Sequence, residues 1–99
     1  MNPSRARGVL WGQAVGDALG TTVEFLDELS VATRAEARWP HDVIGGGPFR
    51  LVPGQITDDT ELALTLARSL ARECGYDDDE VAAAYCAWLA SDPPDRGMA

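Results

Sequence analysis

Ninety-nine residues form one domain or part of one, and a chain that short buries only about 60–65% of its unfolded surface. Sixteen acidic residues against eight basic ones, all Arg, give a net charge of −8. That balance excludes a protein built to hold nucleic-acid phosphates or a polybasic membrane anchor, and it suits a soluble protein or one that binds cations.

Three segments carry helical periodicity. The first is predicted from about Ser4 to Leu19, with Asn2 before Pro3, or Ser4 itself, as its cap. Leu10, Trp11, Ala14, Val15, Ala18 and Leu19 fill one half of its surface. Gly8, Gly12, Gly16 and Gly20 recur every fourth residue along the edge of that half. Each interior Gly costs a helix about 0.5–1 kcal/mol against Ala, so a ridge of them needs a reason. Close packing of another helix is the expected one, and a ligand lying on bare backbone is the alternative. A further short helix is expected over Val31–Trp39, and an irregular connection over Pro40–Pro53 with Gly45-Gly46-Gly47-Pro48 at its centre. A long connection of this kind is usually functional or disordered.

The second main helix is predicted over Asp58–Cys74, with the stripe Leu62, Ala63, Leu66, Ala67, Leu70, Ala71 and Cys74, stopped by Gly75. The third is predicted over Asp78–Ala90, with Val81, Ala84, Tyr85, Trp88 and Leu89 as its stripe, ended by Asp92-Pro93-Pro94. The short loop between them predicts an antiparallel hairpin. The first two helices are expected to pack on each other with the glycine ridge at their contact. With no strand-type alternation of any length, the fold class is all-α.

Ala contributes 15 residues, a third of the apolar total, so large core side chains are few. The apolar halves are too wide for a free-standing hairpin. The chain therefore reads as a single incomplete domain over 1–99, with exposed apolar surface and self-association expected. Cys74 and Cys86 are too few for a disulfide scaffold and read as buried thiols in a reducing, cytoplasmic setting. No run approaches the roughly 20 apolar residues of a membrane span. Arg5 and Arg7 precede no uninterrupted apolar run, so a signal peptide is not expected.

The strongest chemical signal is Thr57-Asp58-Asp59-Thr60 at the start of the second main helix. Capping alone accounts for part of it: Thr57 or Asp58 caps, Asp58 and Glu61 form a capping-box variant, and acids suit the positive end of the dipole. Yet Asp59 falls within the apolar stripe and is expected to face the interior, where a bare carboxylate is costly without a cation. Adjacent oxygens on a fixed turn are what hard divalent cations bind, and Mg²⁺ typically takes one or two carboxylates and keeps waters. The helix dipole opposes such an ion, so further anionic ligands are needed. Asp17, in Gly16-Asp17-Ala18-Leu19-Gly20, lies at the edge of the apolar half and reads as a boundary acid. Glu24, between Val23 and Phe25, is either solvent-facing or a general base with a raised pKa. The three glycines 45–47 are no phosphate loop, His41 lacks a second ligand at metal spacing, and Asp77–Glu80 reads as a solvated helix start.

The stretches "RGVLWGQAVGDALGTTVEF", "GGGPFRLVPGQITDDTELALTLARSL" and "AAYCAWLASDPPDRG" together resemble the ADP-ribosylglycohydrolase family. The likeness runs from Arg7 to about Gly97, and it is the pairing of the Gly-Asp-Ala-Leu-Gly and Thr-Asp-Asp-Thr motifs that makes it specific. The resemblance implies the N-terminal part of an orthogonal multi-helix fold. It implies a binuclear Mg²⁺ or Mn²⁺ centre, with Thr57, Asp58 and Asp59 as metal ligands and Glu24 at the active site. It implies hydrolysis of the glycosidic bond of ADP-ribosylated protein side chains or of small ADP-ribosyl compounds. Members of the family are much longer and carry a second ligand set, Asp-x-Asp-Thr, near the C-terminus. Nothing here matches that set, so this chain is expected to supply about half of the metal site and to be inactive alone. The alternatives are a non-catalytic relative, either a crystallin-like structural protein or an ADP-ribose binder, and an inactive truncated helical module.

Overall fold

The computed structural model describes residues 2–35 and 39–91. Among them the fold is all-α, and the only extended pairing is an isolated bridge between Gly46 and Leu51. Helix α1 spans Pro3–Gly20. Asn2 caps it by accepting the Ser4 N–H at 2.8 Å, and Pro3 sits in the first turn, where no backbone donor is needed. A single 3₁₀ turn, Thr21–Val23, follows directly. Helix α2 covers Glu28–Ala35, three residues earlier than the Val31 start expected. The cause is Asp27, whose carboxylate accepts the Ser30 N–H at 2.8 Å and sets the helix start ahead of the first apolar residue. Residues 36–38, where the expected helix would have continued, lie outside the described residues, and Trp39 is in a turn.

Helix α3 spans Asp58–Glu73 and α4 spans Asp78–Ser91. The end of α3 falls one residue early because Cys74, not Gly75, is its left-handed cap, with φ of 56°. The Gly75 N–H still closes the helix by donating to Leu70 O at 3.0 Å. Helices α3 and α4 form the expected hairpin. Trp88 Nε1 ties them together by donating to Glu61 Oε2 at 2.7 Å, which gives Glu61 a role other than the expected capping box. The Asp92-Pro93-Pro94 stop lies outside the described residues.

The connector is irregular but tied down. Gly46 and Leu51 exchange both backbone hydrogen bonds, at 2.8 and 3.1 Å, closing a tight loop over Pro48-Phe49. Thr22 Oγ1 donates to Gly45 O at 2.7 Å, and Trp39 Nε1 donates to Leu19 O at 2.8 Å. The first link fastens the connector to the 3₁₀ turn, and the second to the last turn of α1.

The interior is unusually polar. Among the described residues the buried apolar ones are Ala18, Leu51 and Val81, whereas Thr21, Thr22, Thr57, Thr60 and Ser69 are all buried. One expectation fails here. The glycine ridge does not meet α3: a Cβ built at Gly8, Gly12, Gly16 or Gly20 would find no neighbour within 4 Å. Part of the apolar half of α1 is left uncovered: Leu10 and Val15 are exposed, and Trp11 is 72% exposed. The crossing of α1 and α3 is sealed instead by hydrogen bonds at one end, described below. Cys74 and Cys86 are exposed, free thiols rather than buried ones, because one occupies the helix cap and the other an outer face of α4. Among the described residues, no helix is long and apolar enough to cross a membrane.

Candidate functional site

The site is built where the end of α1 meets the start of α3. Asp17, in the last turn of α1, reaches across to the first residues of α3. Its carboxylate accepts four hydrogen bonds: from Thr57 N at 2.8 Å, Thr57 Oγ1 at 2.8 Å, Thr60 N at 3.2 Å and Thr60 Oγ1 at 2.5 Å. Three of these bonds fall on Oδ2 and one on Oδ1, so most of the accepting capacity of the carboxylate is spent on α3. Burial raises its pKa, but the hydrogen bonds from Thr60 and Thr57 outweigh that and hold it below the usual carboxylate value. Asp17 thus acts as a cap for α3 supplied from another helix, beside the cap supplied by Thr57 itself, whose Oγ1 accepts the Asp59 N–H at 3.4 Å.

Next to this clamp is a shallow open pocket of about 210 Å³, lined by Gly16, Asp17, Gly20, Thr21, Glu24 and Asp59. Two ridge glycines form part of its wall, so there the bare helix backbone faces a cavity and not a neighbouring helix. Glu24 follows the 3₁₀ turn, which the connector holds in place from Gly45. Its pKa is raised by burial first, then by the charges of Asp59, Asp58 and Asp17. Asp59 is likewise raised, by burial and then by Asp58 and Asp17. Asp59 does not face the interior as its position in the stripe suggests. It is exposed and lines the pocket.

Of the sequence-predicted residues, Glu24 and Asp59 are brought to one pocket. Asp58 is half-buried and close enough to act on both through its charge. Thr57 is buried behind them, with its hydroxyl engaged by Asp17. These donors suit a hard divalent cation in kind: carboxylates and a hydroxyl, in a region where like charges already strain one another. They are short in number. Among the described residues, no three acidic, His or Cys side chains converge closely enough to hold an ion. His41 is an exposed turn residue away from this set. Asp77 is a helix cap, accepting the Glu80 N–H at 3.0 Å, and the acids after it are exposed.

Asp17 and Thr60 carry more of the geometry than the sequence reading assigned them. The available signal was a Thr at both the cap and the third position of one helix. Together they present two hydroxyls and two N–H groups to the same side, which calls for an acidic acceptor.

The family model for ADP-ribosylglycohydrolase matches residues 2–99, and the chain belongs to that family. It is 46% identical over 93 residues to ADP-ribosyl-[dinitrogen reductase] glycohydrolase of Rhodospirillum rubrum, covering 94% of this chain and 31% of that protein. It is 54% identical over 67 residues to ADP-ribosylarginine hydrolase Tri1 of Serratia proteamaculans (strain 568), covering 66% of this chain and 16% of that protein. With ADP-ribosylarginine hydrolase Tri1 of Pseudomonas putida (strain GB-1) it shares 43% identity over 84 residues, covering 85% and 21% respectively. The chain thus spans less than a third of the length of these relatives.

Proposed function

We propose that this chain provides one wall of the active site of a metal-dependent ADP-ribosyl glycohydrolase, which cleaves the bond between ADP-ribose and a protein side chain. The observation that carries this reading is the pocket in which Glu24 and Asp59 meet over the bare backbone of Gly16 and Gly20. Cleavage at an anomeric carbon passes through an oxocarbenium-like state, and carboxylates near that carbon stabilise it and move the proton of the attacking water. Glu24 fits the proton-handling role, because burial and three neighbouring acids raise its affinity for a proton. Thr57, Asp58 and Asp59 are the residues that would hold Mg²⁺ or Mn²⁺, as part of a binuclear centre in the complete site. Such a cation, when bound, anchors sugar hydroxyls and offsets the charge of a diphosphate in a protein of net charge −8. The remaining ligands come from outside this chain, so the isolated chain is inactive. An arginine-linked substrate is favoured by the activities named for the Serratia and Pseudomonas relatives. The setting is cytoplasmic, where two exposed free thiols persist.

The test joins this chain to a segment carrying an Asp-x-Asp-Thr set and titrates it with Mn²⁺ by calorimetry. Release of ADP-ribose from an ADP-ribosylarginine peptide is followed in parallel. The parent is expected to bind and to release, and a variant with Asp58→Asn and Asp59→Asn to do neither while keeping its helix content. Equal Mn²⁺ affinity in the two would mean that the aspartates only cap α3.

A further inference from the structure

The Thr57 side chain is buried, and its hydroxyl has one hydrogen to give and two lone pairs to offer. The hydrogen goes to Asp17 Oδ1 at 2.8 Å. One lone pair faces the Asp59 N–H at a long 3.4 Å. The rotation of this hydroxyl is therefore not free: as long as Asp17 is a carboxylate, the oxygen presents lone pairs away from α1 and cannot present its hydrogen there. An O–H donating to a carboxylate also has a more electron-rich oxygen, which is the way outer partners strengthen a ligand. Asp17 is itself largely committed to α3, with three donors on Oδ2 and the Thr57 hydroxyl on Oδ1, which leaves a single lone pair, on Oδ1. Its charge has a second effect. The N-terminal end of α3 carries a partial positive charge that repels cations, and Asp17 sits against that end as a fixed anion.

We infer that Asp17 is a positioning residue for the cation site, orienting the Thr57 hydroxyl as an acceptor and cancelling the repulsion of the α3 N-terminus. This rests on the proposed role of Thr57, Asp58 and Asp59 as cation ligands. It adds a residue on another helix, 40 positions away in sequence, that touches neither cation nor substrate.

At 10.6 kDa the whole chain is suited to heteronuclear NMR. Mg²⁺ is titrated into the 99-residue protein, and the affinity is read from the Thr57, Asp58 and Asp59 amide shifts. Asp17→Asn is expected to weaken binding by about ten-fold, the lower end of outer-partner effects. Thr57→Val is expected to weaken it by a similar factor. The double variant is expected to lose clearly less than the product of the two single losses, because both changes remove the same oriented oxygen and only the charge effect of Asp17 on the α3 N-terminus is added. Thr60→Val breaks a bond to the same carboxylate without touching Thr57, and should destabilise the fold while leaving affinity within about two-fold of the parent. Unchanged Mg²⁺ affinity in a folded Asp17→Asn protein overturns the inference, as does additivity in the double variant. Should Asp17→Asn fail to fold, undiminished affinity in Thr57→Val overturns it equally. Absence of any Mg²⁺-dependent shift at residues 57–59 in the parent would remove the cation site itself, and this inference with it.

Discussion

Replacing Gly47 with Ala tests whether the connector is a positioning device. Gly47 has φ of 72°, in the left-handed region, where a Cβ costs about 1–2 kcal/mol. A Cβ there would also fall far inside contact distance of Thr21 O, with the Thr21 carbonyl carbon at 3.0 Å. Both are backbone atoms of the 3₁₀ turn, so no side chain can swing aside to make room. Gly46, next in line, is the natural control: its φ of 79° imposes the same conformational cost, but a Cβ there meets nothing within 4 Å. Gly46→Ala should therefore lose only about 1–2 kcal/mol. Gly47→Ala should lose at least about 3 kcal/mol, since the turn must shift and strain of this kind adds to the conformational cost. Stability of a domain this size is on the order of 5–10 kcal/mol, so the difference is large. Urea unfolding followed by circular dichroism measures both. Equal losses at 46 and 47 would refute the reasoning, because they would show that the loop does not press on the turn that carries Glu24.

The ridge itself gives the opposite prediction. Gly12 is helical with open space where its Cβ would lie, so Gly12→Ala should stabilise by about 0.5–1 kcal/mol through backbone entropy alone, measured in the same urea titration. A loss there would mean that something covers this face. Acid unfolding should report Asp17. Its folded pKa lies below the unfolded value of 3.8, so the stability it confers is complete above that pH and is lost as pH falls through the lower folded value. Asp17→Asn should make stability at pH 7 resemble that of the acid-treated parent and should flatten the dependence between pH 5 and 2; an unchanged acid slope would count against the four-bond clamp.

Helix identity and fold class could be read from the sequence because apolar spacing in α3 and α4 and the Asn2-Pro3 start are local signals. The ends of these helices moved by no more than a residue or so. What the sequence did not reveal is what each helix faces. The ridge glycines fit a close-packed crossing as well as a cavity wall, and only the partner's position separates the two. The same holds for Asp59, whose place in the apolar stripe does not tell that it lines a pocket with Glu24. Asp17 looked like a boundary acid because its donors, Thr57 and Thr60, lie more than 40 residues away on average and no local spacing connects them. The exposure of α1 follows from composition: with Ala supplying so much of the apolar total, hydroxyl side chains rather than large aliphatic ones fill the crossing.

The two ties from the connector to α1 and its 3₁₀ turn alter the chain statistics of the whole site. Left slack, the segment joining Asp17 to Thr57 is a loop of 40 residues, whose closure costs about 3 kcal/mol in the length-dependent part alone. That is nearly what four partly exposed hydrogen bonds return at about 1 kcal/mol each. The Thr22–Gly45 bond leaves only about a dozen residues between the tether and Thr57, which cuts the closure cost by roughly 1 kcal/mol. The Trp39–Leu19 bond subdivides the rest. Two hydrogen bonds thus act as non-covalent cross-links, and the carboxylates meet at high effective concentration although they come from distant parts of the chain.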